Sequence, residues 1–415
     1  MALEEKRPVV HKYGGSSLSS IGKLRAVARK VATVRRSGHP VVVVVSAMGR
    51  TTNALLEQAR QISGDPDPRE LDRLLACGER VSTALLAMAI REEGTPAISL
   101  SGPESGIATD TQHLNARVVC VRPQRVKSEL RAGRVAVVAG FQGEDHHGEL
   151  TTLGRGGSDT TAVVLAGALN ASVCEIYSDV PGVYTADPRL VAEPLHLRRV
   201  GSRLMSEYAR HGARVLHWPC LDHARTHGIT IRALSTFEER QGTTIAPDGG
   251  VEYHQDCHAS LPRIVGVSSR RRRLRVHAGP AVDVEAITGQ LADYETAFRN
   301  GRLGNGRDHV DVLVDGENAP NPGGLAEELR ARLNGLATVT PDLATISAVA
   351  EPAELPDLAH RMRDALRAAG APVVSIYRRP LSITCAVPDQ SRVGALQAVH
   401  DSLMTPRPVL AEVAG

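Results

Sequence analysis

The chain has 415 residues, of which 42% are hydrophobic and 23% charged, a composition typical of a globular protein with more than one domain. Lys and Arg number 49 and Asp and Glu 46, so the formal net charge of +3 does not favour nucleic acid or an anionic membrane surface as partner. The six cysteines are scattered, which favours reduced thiols over a disulfide framework. No apolar run approaches the roughly 20 residues of a membrane span. Residues 1–8 are charged, and we expect a cytoplasmic protein without membrane contact.

Short β-branched runs alternate with longer amphipathic segments from residue 8 to about residue 245. This alternation is typical of an α/β sheet covered by helices. The predicted strands are residues 9–10, 41–45, 97–100, 135–139 and 173–177. Between the first two strands apolar residues recur at helical spacing, and Ser37 and Gly38 are predicted to end that helix. The sheet is therefore predicted to begin with a βαβ unit.

The composition changes after a polar segment rich in turn residues, 246–262, which is predicted to be a linker. Two blocks of similar size follow, 264–314 and 344–387, and each reads as strand, loop, helix and strand. The clearer helix is predicted over 358–369, after an acidic loop at 351–357. A pair of small α+β units is the simplest interpretation.

An arginine-rich run, residues 269–275, lies in the first of these blocks. Such a run is compatible with a nucleic-acid patch. We interpret it instead as one strand whose alternate residues face solvent, because strand side chains alternate between the two faces of a sheet.

The first strand leads directly into residues 12–17, KYGGSS, which open the first helix. Glycines, hydroxyls and a helix N-terminus offer backbone N–H donors and a positive dipole end to a phosphate, with Lys12 beside them. The segment is not a Walker A loop, because Leu24 stands where Ser or Thr would bind Mg2+. A second polar cluster, residues 46–53, follows the all-valine strand. Loops after neighbouring strands of an open α/β sheet share one ligand site.

Three further segments carry polar residues suited to a small charged substrate. Glu79, within residues 77–82, is an isolated acid among apolar helix residues, for which a solvated helix charge is the alternative interpretation. Residues 151–159, TTLGRGGSD, form a glycine-rich turn before an apolar helix and offer a cation and a carboxylate, as a zwitterion requires. Residues 178–189 follow the last strand and are predicted to be a loop from their Pro and Gly content.

In this order, the five segments resemble the aspartate kinases of the amino-acid kinase superfamily, and the likeness extends through nearly all of residues 8–245. The resemblance implies an α/β fold, an amino-acid kinase sandwich with a mainly parallel central sheet, as a catalytic domain over 1–245. It also implies two small α+β ACT-like regulatory domains over 263–415, after the linker 246–262. ATP and Mg2+ are the implied cofactors.

The resemblance assigns roles to the residues at matching positions. Lys12 is implied to contact the transferring phosphoryl group, and Lys12 and Asp159 are the implied catalytic residues. The implied nucleotide-binding residues are Lys12, Gly14, Gly15, Ser178, Asp179, Tyr184, Arg189 and Arg214. The implied substrate-binding residues are Ser46, Thr52, Glu79, Arg155, Gly156, Gly157, Ser158 and Asp159. By charge, Arg155 would hold the α-carboxylate of aspartate, and Glu79 or Asp159 would face its ammonium.

The implied reaction transfers the γ-phosphoryl group of ATP to the side-chain carboxylate of L-aspartate, in amino-acid biosynthesis. A carboxylate is already ionised at pH 7, so no general base is needed. Positioning and charge neutralisation by Lys12, Mg2+ and helix N-termini would supply the catalysis. Two alternatives remain open, namely a kinase for a related carboxylate in a specialised pathway and a catalytically inactive amino-acid sensor.

The resemblance also implies a homodimer or higher homo-oligomer formed through the ACT-like region. The sequence departs from the family pattern at Pro181, at residues 103–105 and at residues 376–380. The last of these, IYRRP, replaces a small, hydroxyl-rich effector segment. Because a small effector needs a closely fitted polar site, we expect a weak response or none to lysine and threonine.

Overall fold

The computed structural model describes residues 6–254, 263–279, 287, 289–291, 296–300, 310–317 and 324–404. The chain divides into two compact units. The first comprises residues 1–183, 196–209 and 214–252, and the second comprises residues 184–195, 210–213 and 253–415. Within the described ranges, no helix combines the length and the apolar character that a membrane crossing requires.

The first unit contains a large sheet and a small one. Its strands are β1 Val9–Tyr13, β2 Val41–Val45, β3 Ala97–Leu100, β4 Ile107–Thr109, β5 Val118–Val121, β6 Val135–Ala139, β7 Gln142–Glu144, β8 Leu150–Thr152, β9 Val173–Ser178, β10 Leu197–Gly201, β11 Ile231–Ser235, β12 Thr243–Ala246 and β13 Val251–Tyr253. The large sheet has the order β13-β10-β12-β11-β9-β1-β2-β6-β3, and the small sheet has the order β5-β4-β7-β8. From β11 to β3 all neighbours in the large sheet are parallel.

Helices cover both faces of the large sheet. They are α1 Ile21–Arg36, α2 Thr51–Ile62, α3 Pro68–Glu92, α4 Gln124–Arg131, α5 Gly157–Ala168, α6 Ser202–Arg210 and α7 Trp218–Thr226. The helix α1 begins where the Ser20 hydroxyl accepts the Lys23 N–H, and it ends before Gly38, whose φ of 92° is unfavourable for other residues. All five valines of β2 are buried, as expected for a central strand covered on both faces.

The two faces of the sheet have different cores. On one face, apolar side chains of α1 and α3 pack against Tyr13 of β1 and against alternate valines of β2, including Val43. The opposite face is covered by α5, whose residues 157–166 are all buried. A helix that is buried all round lies inside a protein, and here it places its N-terminus at the carboxyl ends of β1 and β2.

The second unit is built on one six-stranded sheet. Its elements are β14 Ile264–Ala278, β15 Thr296–Asn300, β16 Val310–Asp315, α8 Leu325–Leu333, β17 Thr338–Ala350, α9 Leu355–Ala368, β18 Ser375–Arg379, β19 Ser382–Pro388 and α10 Arg392–Met404. The strand order is β15-β16-β14-β17-β19-β18, with antiparallel neighbours throughout. One core lies under α9 and α10, and another lies under α8. The strands of the two predicted α+β blocks therefore share a single sheet, joined by the long strands β14 and β17. The predicted bounds 264–314 and 344–387 are too narrow, because α8 lies between the blocks and β17 begins at Thr338.

Several of the predicted strand and helix bounds are confirmed. The strands at 41–45, 97–100 and 135–139 have the predicted bounds, and α1 ends one residue before Ser37. The helix predicted over 358–369 begins earlier, at Leu355, because a 3-10 turn at Pro352–Glu354 starts it inside the predicted loop. The five described cysteines are free thiols.

The arginine run forms a strand, β14, as predicted, but the predicted alternation is wrong. Arg271 and Arg272 are both exposed, and the pairing with β17 is shifted between Arg270 and Arg273. Arg273 is only 1% exposed, and its guanidinium lies 3.1 Å from the carboxylate of Asp315. An irregularity in the strand has thus turned a charged side chain inward, where an acidic partner compensates its lost hydration.

The predicted linker 246–262 begins at the last residue of β12, and its middle forms β13, which returns to the large sheet. Residues 255–262 lie outside the described ranges.

The loop after β9 divides between the units, because residues 184–195 belong to the second unit. There the Val267 N–H donates to the Thr185 carbonyl at 2.7 Å, and Ala186 and Val191 enter the core under α9 and α10. The domain bounds remain a prediction.

Candidate active site

The loops that follow β1, β2, β6 and β9 meet at one edge of the large sheet. Backbone hydrogen bonds join them: Gly14 N–H donates to the Tyr177 carbonyl at 3.3 Å, Ser46 N–H to the Tyr13 carbonyl at 3.1 Å, and Gly140 N–H to the Val45 carbonyl at 3.0 Å. The carboxyl ends of parallel strands are where open α/β sheets bind ligands. The structure thus places the first two predicted motifs side by side.

Gly15 lets the loops after β1 and β2 touch through their backbones. The Gly49 N–H donates to the Gly15 carbonyl at 2.9 Å, and a Cβ added at Gly15 would lie 2.6 Å from the Ala47 carbonyl oxygen. No larger residue fits that gap without moving backbone. Of the substrate-side residues predicted here, Ser46 follows β2 and Thr52 lies in the first turn of α2, and both are half-buried.

A lysine–aspartate ion pair lies next to these loops. The Lys12 Nζ atom lies 2.7 Å from the Asp159 Oδ1 atom, and the two side chains are 13% and 10% exposed. Lys12 projects from β1 towards α5, and Asp159 lies in the first turn of α5. A Cβ added at Gly14 would lie 3.6 Å from Lys12 Nζ, so the ammonium lies against the glycine loop. The pair brings together two residues 147 positions apart, both predicted as catalytic.

Glu79 is buried rather than solvated. Its side chain lies on α3, the residue is 3% exposed, and its Oε1 atom accepts the Ala47 N–H at 2.9 Å. Burial raises the pKa of Glu79 to about 7, and the Ala47 hydrogen bond and the charge of Lys12 offset only part of that rise. The other carboxylate oxygen is buried and has no hydrogen-bond partner in the described part of the chain. The solvated helix charge is therefore excluded, and Glu79 has an oxygen available for a ligand.

The glycine-rich turn before α5 is tightly enclosed. Gly156 caps the helix with a φ of 67°, and a Cβ there would lie 2.2 Å from the His217 ring. Ser158 is buried, and a Cβ added at Gly140 would lie 2.7 Å from its Cβ. By contrast, Arg155 is exposed at the start of this turn. Close backbone packing thus explains the glycines and leaves the arginine at the surface.

The residues predicted for the nucleotide divide between the two units. Ser178 ends β9, where its hydroxyl accepts the Val180 N–H at 3.2 Å, and the exposed Asp179 follows it. The first unit also contains Arg214. The second unit contains Tyr184 and Arg189, and the Arg189 guanidinium lies 2.7 Å from the Asp187 carboxylate. Gly14 and Gly15 lie at the sheet edge described above.

The sequence analysis missed a buried cluster on the opposite face of β1 from Lys12. His11 is fully buried and lies 3.2 Å from the Glu175 carboxylate, which also accepts the Tyr177 hydroxyl at 2.6 Å. Burial by itself would raise the pKa of Glu175, but its bonds to His11 and Tyr177 and the charge of Arg232 lower it to about 2. The Tyr13 and Tyr177 rings stack 4.7 Å apart. His11 and Tyr13, like Glu175 and Tyr177, stand two positions apart, which places each pair on one face of a strand. The first predicted strand, residues 9–10, ended before His11, whereas the observed strand extends to Tyr13.

Comparisons with known proteins identify the family of the chain. The model of the amino acid kinase family matches residues 7–235. An aspartokinase from Bacillus sp. (strain MGA3) is 36% identical over 409 residues, which cover 95% of this chain and 96% of that protein. An aspartokinase from Thermus thermophilus is 36% identical over 410 residues, which cover 95% of this chain and 98% of that protein.

Solved structures share the fold. The crystal structure of E. coli aspartokinase III in complex with aspartate and ADP matches with a TM-score of 0.78 at 22% identity, over 95% of this chain and 99% of that chain. The crystal structure of aspartate kinase from Synechocystis is 31% identical, with a TM-score of 0.54, over 97% of this chain and 70% of that one. The matches in sequence extend well beyond the catalytic region. The chain therefore belongs to the amino acid kinase family and, within it, to the aspartokinases.

Proposed function

We propose that the protein transfers the γ-phosphoryl group of ATP, with Mg2+, to the side-chain carboxylate of L-aspartate and forms 4-phospho-L-aspartate in the cytoplasm. The observation that carries the proposal is the Lys12–Asp159 ion pair, which lies beside the glycine loop at the carboxyl ends of the strands. Relatives over nearly the full length are aspartokinases, and a structure of the same fold holds aspartate and ADP.

Lys12 has the position of a cation that acts on the transferring phosphoryl group. Its ammonium is largely shielded from water, so its attraction for developing negative charge is stronger than it would be in bulk water. Backbone N–H groups near Gly14 and Gly15 and the N-terminus of α5 add partial positive charge. The acceptor carboxylate needs no deprotonation at pH 7, so catalysis consists of positioning and charge neutralisation.

The amino acid itself would be held by opposite charges. Arg155 binds the α-carboxylate, because an exposed guanidinium is an accessible bidentate partner for a carboxylate. Glu79 or Asp159 faces the ammonium, and the unpartnered Glu79 oxygen favours Glu79 as the acceptor. Ser46, Thr52, Ser158 and the backbone of Gly156 and Gly157 complete this side of the site.

In the first unit the nucleotide side comprises Ser178, Asp179 and Arg214. The family resemblance also assigns Tyr184 and Arg189, which belong to the second unit, to the nucleotide. Mg2+ prefers oxygen ligands and is commonly held by one or two carboxylates together with substrate phosphates. Asp159 is the carboxylate that would help to hold it, and the ion would neutralise phosphate charge.

Trapping of the product tests the proposal. Aspartate, ATP and Mg2+ are incubated with the protein and hydroxylamine, which converts an acyl phosphate to a hydroxamate. We expect hydroxamate and ADP in equal amounts, only when aspartate is present. A panel of other carboxylates is assayed at fixed ATP. If one of them is preferred to aspartate, the protein is a kinase for that related carboxylate. Binding of ATP and aspartate without turnover would establish the inactive sensor instead.

The pH dependence should report the ionisation of Glu79. Because its pKa is raised to about 7, the carboxylate that attracts the substrate ammonium is present above that pH and is lost below it. We expect kcat/KM for aspartate to fall by about tenfold between pH 8 and pH 6, since this quantity reports groups of the free enzyme. Glu79→Gln should give a low, flat profile over the same range. An unchanged profile in Glu79→Gln would contradict the assignment, and the KM for ATP serves as the internal control.

The second unit is expected to respond poorly to lysine and threonine. Its strand β18 carries the exposed residues Arg378 and Arg379 within the segment that departs from the family pattern. These charges would repel the ammonium group of an amino-acid effector. At saturating ATP, activity with lysine, threonine or both at millimolar concentration should stay close to that without effector. Strong inhibition by either amino acid would refute the prediction.

Self-association through the second unit is a further part of the proposal. Among the described residues β15 and β18 are the outer strands of its sheet, and an outer strand presents backbone groups that a second copy can pair with across a twofold axis. Light scattering on the full chain should give the mass of a dimer or a higher oligomer. A fragment of residues 260–415 should also dimerise, and a monomeric full chain would disprove the proposal.

A further inference from the structure

A buried carboxylate that the proposed chemistry does not use lies on α3, seven residues before Glu79. Asp72 is 0% exposed. The Nδ1 atom of His113 lies 2.6 Å from its carboxylate, the Leu114 N–H donates to it at 3.1 Å, and the Thr152 hydroxyl also donates to it. Three partners on one carboxylate compensate for its lost hydration. The Asp72 carboxylate therefore holds these three partners in defined positions.

The partners of Asp72 belong to two neighbouring segments. One is the loop between β4 and β5, and the other is the end of β8. The Ala116 N–H donates to the Thr152 carbonyl at 2.8 Å, which joins the two segments directly. Leu114 has a φ of 64°, a left-handed conformation that a non-glycine residue keeps only where its surroundings hold it. The hydrogen bond from Leu114 to Asp72 is such a restraint.

These two segments support the turn that carries Arg155. The turn starts two residues after Thr152, at Gly154, whose φ is 71°. A Cβ added at Gly154 would lie 2.7 Å from the Asn115 Oδ1 atom, so the turn packs directly on the loop held by Asp72. The Gly157 N–H then donates to the Gly154 carbonyl at 3.1 Å, closing the turn around Arg155. Since Arg155 itself is exposed, its position depends on this backbone.

We infer that Asp72 is a positioning residue for the reaction. It fixes the turn at residues 154–157 through the loop at Leu114 and through Thr152, and it thereby sets the affinity for the α-carboxylate of the amino-acid substrate. The inference rests on the proposed role of Arg155. Asp72 touches neither substrate nor nucleotide, so its effect should appear in aspartate binding and not in ATP binding.

Asp72→Asn tests the inference with little change of shape. We expect the KM for aspartate to rise by about tenfold, because looser positioning weakens a charge-assisted contact, while the KM for ATP and kcat change by less than about twofold. Asp110→Asn is the matched control. Asp110 accepts two backbone N–H groups in the same loop, at 3.0 and 3.3 Å, whereas the Thr152 hydroxyl donates to Asp72. Equal changes in both KM values for Asp72→Asn would overturn the inference.

A double-mutant cycle separates positioning from general weakening of the fold. If Asp72 acts through Arg155, Asp72→Asn should add nothing to the KM for aspartate in an Arg155→Ala background, whereas independent effects would multiply. Multiplied effects would overturn the inference. If Arg155→Ala leaves this KM unchanged, the proposed role of Arg155 fails and the inference fails with it. If Arg155→Ala raises it and Asp72→Asn does not, only the inference fails.

Thr152 provides a test that does not depend on the folding of Asp72→Asn. Thr152→Val keeps the buried shape and removes the hydroxyl that donates to Asp72, whereas Thr152→Ser keeps the hydroxyl. We expect Thr152→Val to raise the KM for aspartate by several-fold and Thr152→Ser to restore it. Equal behaviour of the two variants would show that the bond to Asp72 does not position the turn.

Discussion

Replacing Lys12 with Ala is expected to lower kcat by about a thousandfold, the size of effect seen when one group that stabilises transition-state charge is removed. The Lys12 side chain is 13% exposed and its ammonium lies against the glycine loop, so water cannot replace it efficiently. The acceptor carboxylate and the phosphates are both anionic, and removal of this cation leaves their repulsion uncompensated where it is largest. The KM for aspartate should change far less than kcat.

The Lys12 experiment needs a control for folding and one for charge. Lys12→Ala leaves Asp159 nearly buried without its partner, so a melting curve should accompany the kinetics, and Lys12→Ala combined with Asp159→Asn should recover stability but not kcat. Lys127→Ala is the matched surface variant, because Lys127 is an exposed lysine in α4. A kcat near the wild-type value in folded Lys12→Ala would rule out the proposed role.

Replacing Arg155 with Ala is expected to raise the KM for aspartate by about a hundredfold, which corresponds to about 2.7 kcal/mol and lies within the range for a hydrogen bond to a charged group. The residue is exposed and lies in the turn before α5, whose first turn contains Ser158 and Asp159. Only the amino-acid substrate carries an α-carboxylate, so the KM for ATP should change by less than about twofold.

One conservative variant and one distant variant serve as controls for Arg155→Ala. Arg155→Lys keeps one charge but loses the planar fork, so it should recover part of the affinity and not all of it. Arg131→Ala, an exposed arginine in α4, should leave both KM values unchanged. If Arg155→Ala raises the two KM values equally, the guanidinium is not a specific ligand of the aspartate carboxylate.

The order of strands and motifs could be predicted because its signals are local. Runs of β-branched residues such as 41–45 identify strands, and a glycine pair directly after a strand predicts a backbone turn that accommodates phosphate. The edge shared by the loops after β1 and β2 follows from parallel pairing alone. The prediction that Lys12 lies near the phosphate loop required only the spacing of residues 12–17.

The sequence by itself therefore determined the fold class, the family and the order of the loops at the predicted site, since each depends on neighbours along the chain. The tertiary structure decided what depends on neighbours in space. It paired Lys12 with Asp159, it buried Glu79 and so raised its pKa, and it turned Asp72 inward towards the loop at Leu114. Burial and charge pairing arise only when distant segments pack. The pattern of residues along α3 therefore could not decide whether Glu79 is buried or is a solvated charge.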